Sequence, residues 1–500
     1  MKSFGTLLLA LAGFAIIASC SDDFENYTNN PQNRLSFSTD TLSFETALAT
    51  VASPIRGFVV GNYNKQHLLV ASIRLAGGQN SPFRINVDGM AGSSFADVPI
   101  RANDSIFVFA DVKPELSGSS EPKIIRDSVI FEYNGIRQQV ILEAFGQDVI
   151  VIRGDVLNDE YSLLDGKTPY LVYDSLVIAE GCTAEIAEGS TFYMYNEAKI
   201  TVRGKILIRG SLEKPVTFRG SRTDSLNVEI PISYEQIPGQ WGGIVLTSTS
   251  FGNEMENARI RNGKFGLLIE PSNPDRSKII LRNTVLTNVS GDLLTSVNSK
   301  ISAENCEFST SRGALLNLVG GDCDFLHCTL ANFYPYLPEG GWLHSEREIL
   351  KISTQWQPGD AESEPVEFPL VKANFANSVF ASENTSSGIF IEEPETGVLP
   401  FAFRNCVFVN KGENDEQFTD CLFGANPDSL FVKNYTKKIK DDPNDRAYDY
   451  VFKFSLTENS PARDTANPAL SEQLPLDMLG RNRFADGKPD AGAYEFAITE

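Results

Sequence analysis

The chain has 500 residues, of which 42% are hydrophobic, and its formal net charge is −22. The length indicates two or more domains, and the hydrophobic fraction argues against a wholly disordered chain. So acidic a surface repels phosphate backbones and argues against nucleic acid as a partner, and three histidines are too few for a histidine-rich metal centre.

The N-terminus has the layout of a secretory signal. Lys2 precedes an apolar run from Leu7 to Ile17, which is too short to span a bilayer stably. Residues 17–20, Ile-Ala-Ser-Cys, resemble a bacterial lipobox. The resemblance implies that residues 1–19 are a lipoprotein signal peptide and that Cys20 is lipidated. The alternative is an ordinary cleaved signal peptide with an incidental cysteine.

An acidic cluster follows the lipobox. Ser21, Asp22 and Asp23 resemble the beginning of the surface-export signal of Bacteroidota lipoproteins. That resemblance implies an outer-membrane lipoprotein that faces the cell exterior, with the lipid as its membrane anchor. Residues 20–34 are rich in Asn and Asp and poor in core-forming residues, which predicts a flexible lipidated tether.

Residues 35–149 alternate short apolar runs with turn signals. Asn134-Gly135 stands between two alternating runs, which is the strongest short signal for a β-hairpin. About seven strands in this length predict a β-sandwich. The strand order resembles the immunoglobulin-like modules that accompany surface domains, and the resemblance implies a spacer that holds the next domain away from the membrane.

Residues 150–457 carry a repeated pattern of a polar residue, a small residue, any residue and a large apolar residue. The small residues of the pattern are Ala258, Thr284, Cys306, Cys328, Ser378, Cys406 and Cys421. Two successive intervals, from Thr284 to Cys306 and from Cys306 to Cys328, are 22 residues each. This period fits one coil of a right-handed parallel β-helix, with the small and the large apolar residue facing the interior. The chain is therefore predicted to be all-β.

The same stretch contains the residue types of a zinc site. Cys306, Cys323, His327 and Cys328 supply three thiols and an imidazole. The repeat instead places Cys306 and Cys328 on adjacent coils, where they stack inside the solenoid as buried thiols. His327 precedes Cys328 and points outward, because successive strand residues alternate. No metal site is predicted here, and a disulfide between Cys306 and Cys328 is left open.

Two segments resemble a known family. The stretch GQWGGIVL at 239–246 is similar to the pectin-lyase-like β-helix proteins of bacterial surfaces. Residues 458–500 resemble the terminal signature of secreted right-handed β-helix proteins, with Ser-Pro-Ala-x-Asp followed by Gly-x-x-Arg and Asp-x-Gly-Ala-Tyr-Glu. The resemblance implies a segment that closes the open end of the solenoid. The residues expected to pair in this structural cap are Arg463, Asp464, Arg483 and Asp490.

Enzymes of this family cleave polysaccharides, with catalytic groups on the outer face of one parallel sheet. The candidate acids, which apply only if the chain is an enzyme, are Asp322, Asp324, Glu346 and Glu348. A hydrolase needs two or three converging carboxylates, and a lyase needs calcium-binding carboxylates and a basic residue. No such stack is visible in the repeats, and the signature segments of pectin-cleaving hydrolases are absent.

The interval between Cys328 and Ser378 is 50 residues, which predicts an insertion at about 333–372 in one coil. The insertion concentrates aromatic residues beside carboxylates, an arrangement that suits sugars because their apolar faces stack on rings. The candidate glycan-binding residues are Tyr334, Tyr336, Trp342 and Trp356. The alternative is that these rings only pack the loop onto the solenoid.

The leading hypothesis is a non-enzymatic surface lipoprotein whose β-helix binds a glycan or a protein partner. One alternative is a polysaccharide lyase or glycoside hydrolase, and another is a structural or adhesive component of a surface assembly. No cofactor is expected. Calcium is the one ion that the acidic runs at 360–367 and 440–449 would suit, although they lack a recognised calcium-loop spacing.

Overall fold

The computed structural model describes residues 26–225, 232–334, 349–358, 363–383, 388–392, 399–433, 437–438, 448–449 and 452–497. Two compact units divide the chain, Met1–Asp148 and Val149–Glu500. Nearly all of the regular structure in both units is β-strand.

The first unit is a sandwich of two five-stranded sheets. Its strands are β1 (Ser36–Phe37), β2 (Thr41–Leu48), β3 (Arg56–Asn62), β4 (Leu68–Leu75), β5 (Phe83–Val87), β6 (Met90–Gly92), β7 (Ser94–Ile100), β8 (Asp104–Val112), β9 (Lys123–Tyr133) and β10 (Ile136–Gln147). One sheet has the order β1-β3-β8-β5-β6 and the other β2-β10-β9-β4-β7. All pairings are antiparallel except that of β2 with β10. The core forms between the sheets because alternate side chains point inward.

The hairpin prediction at Asn134-Gly135 is confirmed. These two residues connect β9 to β10 and have φ angles of 48° and 71°. Positive φ at both central positions is the requirement of a type I′ turn, which Asn and Gly meet at low cost. A 3-10 turn, Gly78–Asn80, is the sandwich's one described helical element.

The tether prediction is wrong from residue 27 onward. Tyr27 forms a parallel bridge with His67, and the Thr28 amide donates to the His67 carbonyl at 3.0 Å. The Thr28 hydroxyl in turn accepts from the Asn30 amide at 3.1 Å. Local bonds of this kind fix a polar segment that its composition alone indicated to be flexible. Residues 20–25 lie outside the described part of the chain.

The second unit is a parallel β-helix with three sheets. The first solenoid sheet contains β11 (Ile150–Ile152), β14 (Tyr170–Val172), β17 (Thr191–Met194), β20 (Val216–Gly220), β23 (Ala258–Arg261), β26 (Val285–Val289), β29 (Glu307–Ser311), β32 (Thr329–Asn332), β37 (Val379–Ser382) and β40 (Val407–Phe408). The second contains β12 (Asp155–Leu157), β15 (Ser175–Ile178), β18 (Lys199–Val202), β21 (Gly243–Leu246), β24 (Leu267–Ile269), β27 (Leu294–Val297), β30 (Leu316–Val319), β33 (Leu350–Ser353) and β38 (Ile389–Ile391). The third contains β13 (Tyr161–Leu164), β16 (Thr183–Ala187), β19 (Lys205–Arg209), β22 (Asn253–Glu256), β25 (Ser277–Arg282), β28 (Lys300–Glu304), β31 (Gly321–Leu326), β36 (Leu370–Ala376), β39 (Phe401–Arg404) and β41 (Phe418–Thr419).

The register of the first sheet follows the repeat predicted from the sequence. Large apolar residues two positions after each small residue pair with one another from coil to coil. This inward column consists of Ile260, Leu286, Phe308, Leu330, Phe380 and Phe408, all fully buried. Because these side chains stack in register, a substitution of one ring leaves a cavity that its neighbours on both sides share.

The polar residue of the repeat turns the chain from the third sheet into the first. Each such residue has a left-handed φ, between 48° and 54°, which Asn and Asp tolerate better than other residues with a side chain. This column, here called the rungs, consists of Asn257, Asn283, Asn305, His327, Asn377, Asn405 and Asp420. His327 therefore occupies a position that asparagine holds in most coils.

The cysteines lie inside the solenoid, as the repeat predicts. Cys306 and Cys328 are fully buried free thiols, and each donates to the carbonyl two residues before it. Burial raises the pKa of the Cys328 thiol well above its usual value. Cys406 and Cys421 occupy the same position further along the solenoid.

The predicted insertion at about 333–372 is not one continuous loop. β33, within that range, is a regular coil strand that pairs with β30 and β38. The extra residues are therefore divided between two corners of the coil, one before β33 and one after it. The second corner contains a short hairpin of β34 (Gln355–Trp356) and β35 (Val366–Glu367).

The coils end earlier than predicted. Among the described residues, the last coil contacts are β41 and the bridge between Val407 and Leu422, which lie well before residue 457. After these contacts come α1 (Pro427–Leu430), β42 (Phe431–Lys433), β43 (Lys437–Lys438), β44 (Tyr448–Asp449), β45 (Lys453–Leu456) and α2 (Pro468–Ser471). β42 pairs with β45 and β43 with β44. Residues 458–497 are called the strap below.

Candidate functional site

The strap lies along the flank of the solenoid. Asn305 Nδ2 donates to the Leu476 carbonyl at 2.8 Å, and the Gly492 amide donates to the Asn377 carbonyl at 2.8 Å. Strap residues such as Ala493 share an apolar cluster with Val379 on the outer face of the first sheet. The expectation that this segment closes the open end of the solenoid is therefore wrong for the described contacts, which cross several coils sideways.

Of the four residues expected to pair in a cap, Asp464 and Asp490 contact each other, whereas the two arginines form their ion pairs with other residues. Arg483 is fully buried and forms an ion pair with Glu495 at 2.7 Å. Asp490 accepts from the Asp464 amide at 2.8 Å. Arg463 lies over the Phe496 ring at 4.2 Å, and its guanidinium is 3.4 Å from Asp486. These contacts hold the strap together and attach it to the rungs, so they are structural.

Glu307 is the acid that the strap covers. It faces outward, as its place between Cys306 and Phe308 predicts, but the Tyr494 hydroxyl donates to it from above. Ser309 Oγ donates to its other oxygen at 2.6 Å. Burial raises the pKa of Glu307. The carboxyl group is thus closed off from solvent, and no substrate reaches it in this arrangement.

His327 and Ser471 have the geometry of a base and a nucleophile, at 2.8 Å from ring Nε2 to Oγ. Both residues are fully buried, and Ser471 Oγ also lies 2.9 Å from the Asn467 carbonyl. Burial and the charge of Arg483 hold the pKa of His327 well below its usual range. The pair fastens the strap to the solenoid and is inaccessible to substrate. The ring lies on the outer side of the coil, whereas Cys306 faces the interior.

Asp322 and Asp324 lie on the outer face of the third sheet, where both form ion pairs with lysines. Asp322 contacts Lys300 at 3.0 Å and Lys372 at 3.4 Å, and Asp324 contacts Lys372 at 2.6 Å. The hydrogen bond from Lys372 to Asp324 raises the pKa of the lysine, which therefore stays protonated near neutral pH and cannot accept a proton. The arrangement is an ion-pair ladder, and it lacks the free carboxylate pair that hydrolysis requires.

The remaining candidates are only partly described. Glu346, Glu348, Tyr336 and Trp342 lie outside the described residues. Tyr334 and Trp356 are half-buried, and Trp356 pairs with Val366 in the short hairpin.

A calcium site in the two acidic runs remains a prediction. Most of the two acidic runs considered for calcium also lies outside the described residues. Among the residues that are described, no three His, Cys, Asp or Glu side chains are grouped so as to hold a metal ion.

An aromatic column stands on the uncovered half of the first sheet. Arg153, Tyr173 and Tyr195 each follow a first-sheet strand in successive coils, and the Tyr173 and Tyr195 amides donate to the coil before. The guanidinium of Arg153 lies 3.8 Å from the Tyr173 ring centre, and the two tyrosine rings are 4.9 Å apart. Tyr195 is 40% exposed. We call these three residues the tyrosine ladder.

Polar groups border the ladder on the same face. Tyr193 lies beside Tyr195, and the Arg219 guanidinium lies over its ring at 5.7 Å. Arg219 also pairs with Glu235 from a neighbouring loop. The Arg219 side chain is only 12% exposed, so the polar groups on offer near the rings are Arg153 and the carboxylate of Glu235, which is 46% exposed.

Sequence reasoning missed this ladder. The signal was present, since Tyr173 and Tyr195 are 22 residues apart, the same period as the cysteines. The tryptophans and the long interval between Cys328 and Ser378 favoured the insertion as the binding site instead.

The fold defines an all-β protein in which a β-sandwich precedes a parallel β-helix. No protein-family model and no curated protein matches the sequence. Among solved structures, part of the chain is similar to a family 123 glycoside hydrolase from Clostridium perfringens, which was analysed for glycolipid glycan hydrolysis. The match has 10% identity, covers 23% of this chain and 27% of that chain, and has a TM-score of 0.18. At this score the similarity carries no argument about fold or function.

Within the described part of the chain, no helix is both long enough and apolar enough to cross a bilayer.

Proposed function

We propose that the protein is a Bacteroidota-type lipoprotein of the outer membrane, which faces the cell exterior and binds glycans without cleaving them. The lipobox-like residues 17–20 and the acidic cluster that begins at Ser21 support the anchor and the location. In this proposal the lipid on Cys20 holds the chain at the membrane, and the β-helix presents the binding surface.

The tyrosine ladder is the observation that carries the glycan proposal. Pyranose rings have apolar faces that stack on aromatic rings, while their hydroxyl groups bond to cations and carboxylates. Tyr173 and Tyr195 supply two adjacent rings, and Arg153 and the exposed Glu235 carboxylate supply polar partners. A chain of sugars lying along the coils would meet these groups in succession.

The same geometry favours binding over cleavage. Asp322 and Asp324 are held by lysines, and Glu307 is covered by Tyr494. Catalysis by a carboxylate pair needs one acid to donate a proton and another to act as base or nucleophile. None of these acids is both free and accessible.

Glycan binding is tested with Tyr195→Ala in the mature protein on a broad polysaccharide panel. We expect binding of whichever polysaccharide the wild type retains to weaken about tenfold, because stacking contributes about 0.5–1.5 kcal/mol beyond buried area. Tyr161→Ala is the matched control, since Tyr161 is an exposed tyrosine of the same unit in the third sheet. Equal binding by all three proteins would refute the ladder as the glycan site.

Two further measurements test the remaining parts of the proposal. New reducing ends or unsaturated uronates in the panel would contradict a non-enzymatic role. Lipid labelling of the precursor should depend on Cys20 and vanish in Cys20→Ala. Labelling that persists in the variant, or no labelling of the wild type, contradicts the anchor.

A further inference from the structure

A cleft opens where the strap stops covering the rungs. Leu479 and Tyr494 of the strap form one side, and Leu212, Arg259 and Asn283 of the coils form the other. We call it the rung cleft. It lies on the same flank as the strap, next to the first rung that the strap leaves uncovered.

Under the strap, the rungs bind main-chain groups of a segment that consists of turns and one short helix. Asn305 donates to the Leu476 carbonyl, and Asn377 Oδ1 accepts from the Asn467 amide at 2.7 Å. Left-handed asparagines thus hold the strap partly through its backbone, and the side chains of Arg483 and Ser471 add bonds to the same rungs.

The Nδ2 group of Asn283 is available for the same interaction in the cleft. Its Oδ1 accepts from Asn305 Nδ2 at 3.2 Å, while its own Nδ2 donates to no group in the described part of the chain. Leu212 and Leu479, 42% and 37% exposed, flank it with apolar surface. The cleft therefore presents a free Nδ2 on Asn283, one coil before the rung whose Nδ2 binds the strap at the Leu476 carbonyl.

Arg259 adds a charge to this pattern. Its side chain is exposed and forms no ion pair among the described residues. Glu307 is near, but its oxygens are bonded by Tyr494 and Ser309 instead. Arg259 is therefore an exposed cation beside an apolar surface, and its charge favours a carboxylate as the partner.

We propose that the rung cleft binds an extended acidic peptide of a partner protein, which continues the course of the strap along the rungs. One peptide carbonyl accepts from Asn283 Nδ2, a carboxylate pairs with Arg259, and an apolar side chain packs on Leu212 and Leu479. A glycan fits less well, because Tyr494, the one ring that lines the cleft, is only 7% exposed and leaves no face for stacking.

The test is selection of nine-residue peptides from a random display library on the mature wild-type protein. We expect enriched sequences to contain Asp or Glu near Leu, Ile or Phe. Fluorescence anisotropy with the synthetic winners should show at least tenfold weaker binding to Arg259→Glu and a smaller loss with Arg259→Gln. Thermal melts of both variants check that they remain folded.

Arg153→Glu is the matched control, because it reverses an exposed arginine on the tyrosine ladder instead. It should leave peptide binding at the wild-type level, and Arg259→Glu should leave polysaccharide binding unchanged. Winners without acidic residues, winners that bind Arg259→Glu as tightly as wild type, or no enrichment at all would overturn the proposal. None of these results bears on the glycan site.

Discussion

The outer face of the first solenoid sheet has two halves that differ in what covers them. From Val285 onward its outward residues lie under the strap, and apart from Glu307 they are small or apolar, such as Thr329 and Val379. Before Val285 they include Tyr193 and Arg219, which the strap does not cover. The same strands with the same register thus serve as an internal surface in one half and as a display surface in the other. The two halves differ in their outward residues and in the burial of those residues, whereas the inward column is buried and apolar in both halves.

The largest expected effect on stability comes from the buried ion pair of the strap, Arg483 with Glu495. Arg483→Met should lower the free energy of unfolding by about 3–5 kcal/mol, because it leaves the buried Glu495 carboxylate without its partner. Urea denaturation measures the loss, and limited proteolysis should cut the strap first. Arg463→Met, at a partly exposed pair, should cost less than about 1 kcal/mol. Equal losses would show that the covered half does not depend on the buried pair.

The second prediction compares a covered rung with an open one. Asn305→Ala should cost about 2–3 kcal/mol, since it combines left-handed strain with the loss of bonds to Leu476 and Arg483. Asn283→Ala should cost about 1 kcal/mol, mainly from strain.

The corresponding glycine variants isolate the side-chain bonds from this second prediction. Asn305→Gly and Asn283→Gly relieve the strain, so the destabilisation that remains in urea reports on the strap alone. If Asn305→Gly is as stable as Asn283→Gly, the strap gains nothing from its rung.

The third prediction concerns pH. Burial raises the folded-state pKa of Glu307, so folding favours the protonated form. The stability that this contributes is fully present below the unfolded pKa of about 4.3, and it is lost as the pH rises through the folded value. Melting temperatures of wild type should therefore fall relative to those of Glu307→Gln as the pH is raised from 4 to 8. Glu304→Gln, a control at a half-buried ion pair, should keep the wild-type trend.

The smallest effect belongs to the open half. Tyr195→Ala should change the free energy of unfolding by less than about 0.5 kcal/mol, since the ring is exposed and bears no hydrogen bond in the described structure. Tyr494→Phe should cost about 1–2 kcal/mol, because it removes the donor to a buried carboxyl. A large loss for Tyr195→Ala would mean that the ladder is part of the packing rather than a display surface.

The repeat made most of the solenoid predictable. A 22-residue spacing of small residues located the inward column and the buried thiols, because stacked coils force equivalent positions into contact. The hairpin at Asn134-Gly135 was predictable because its turn is a local property.

The site was less accessible to sequence reasoning. The bond from Arg483 to Asn305 joins residues 178 positions apart, and no periodic pattern connects them. The rungs themselves were visible in the sequence as the polar residue of the repeat, but their left-handed backbone, which makes them binding groups, was not. The partners of Asp322 were also hidden, since Lys300 and Lys372 stand in different coils at unequal distances in sequence.

The bonds of the strap fix the number of coils that it crosses. It is bonded at Asn305, His327 and Asn377, so its length fits one number of coils between those rungs. Inserting or deleting a coil there would separate bonds that now form together. The open half carries no such constraint, and a coil of 22 residues added there would bring one more position to the ladder. An added coil in the open half would therefore lengthen the ladder and leave the bonds of the strap in place.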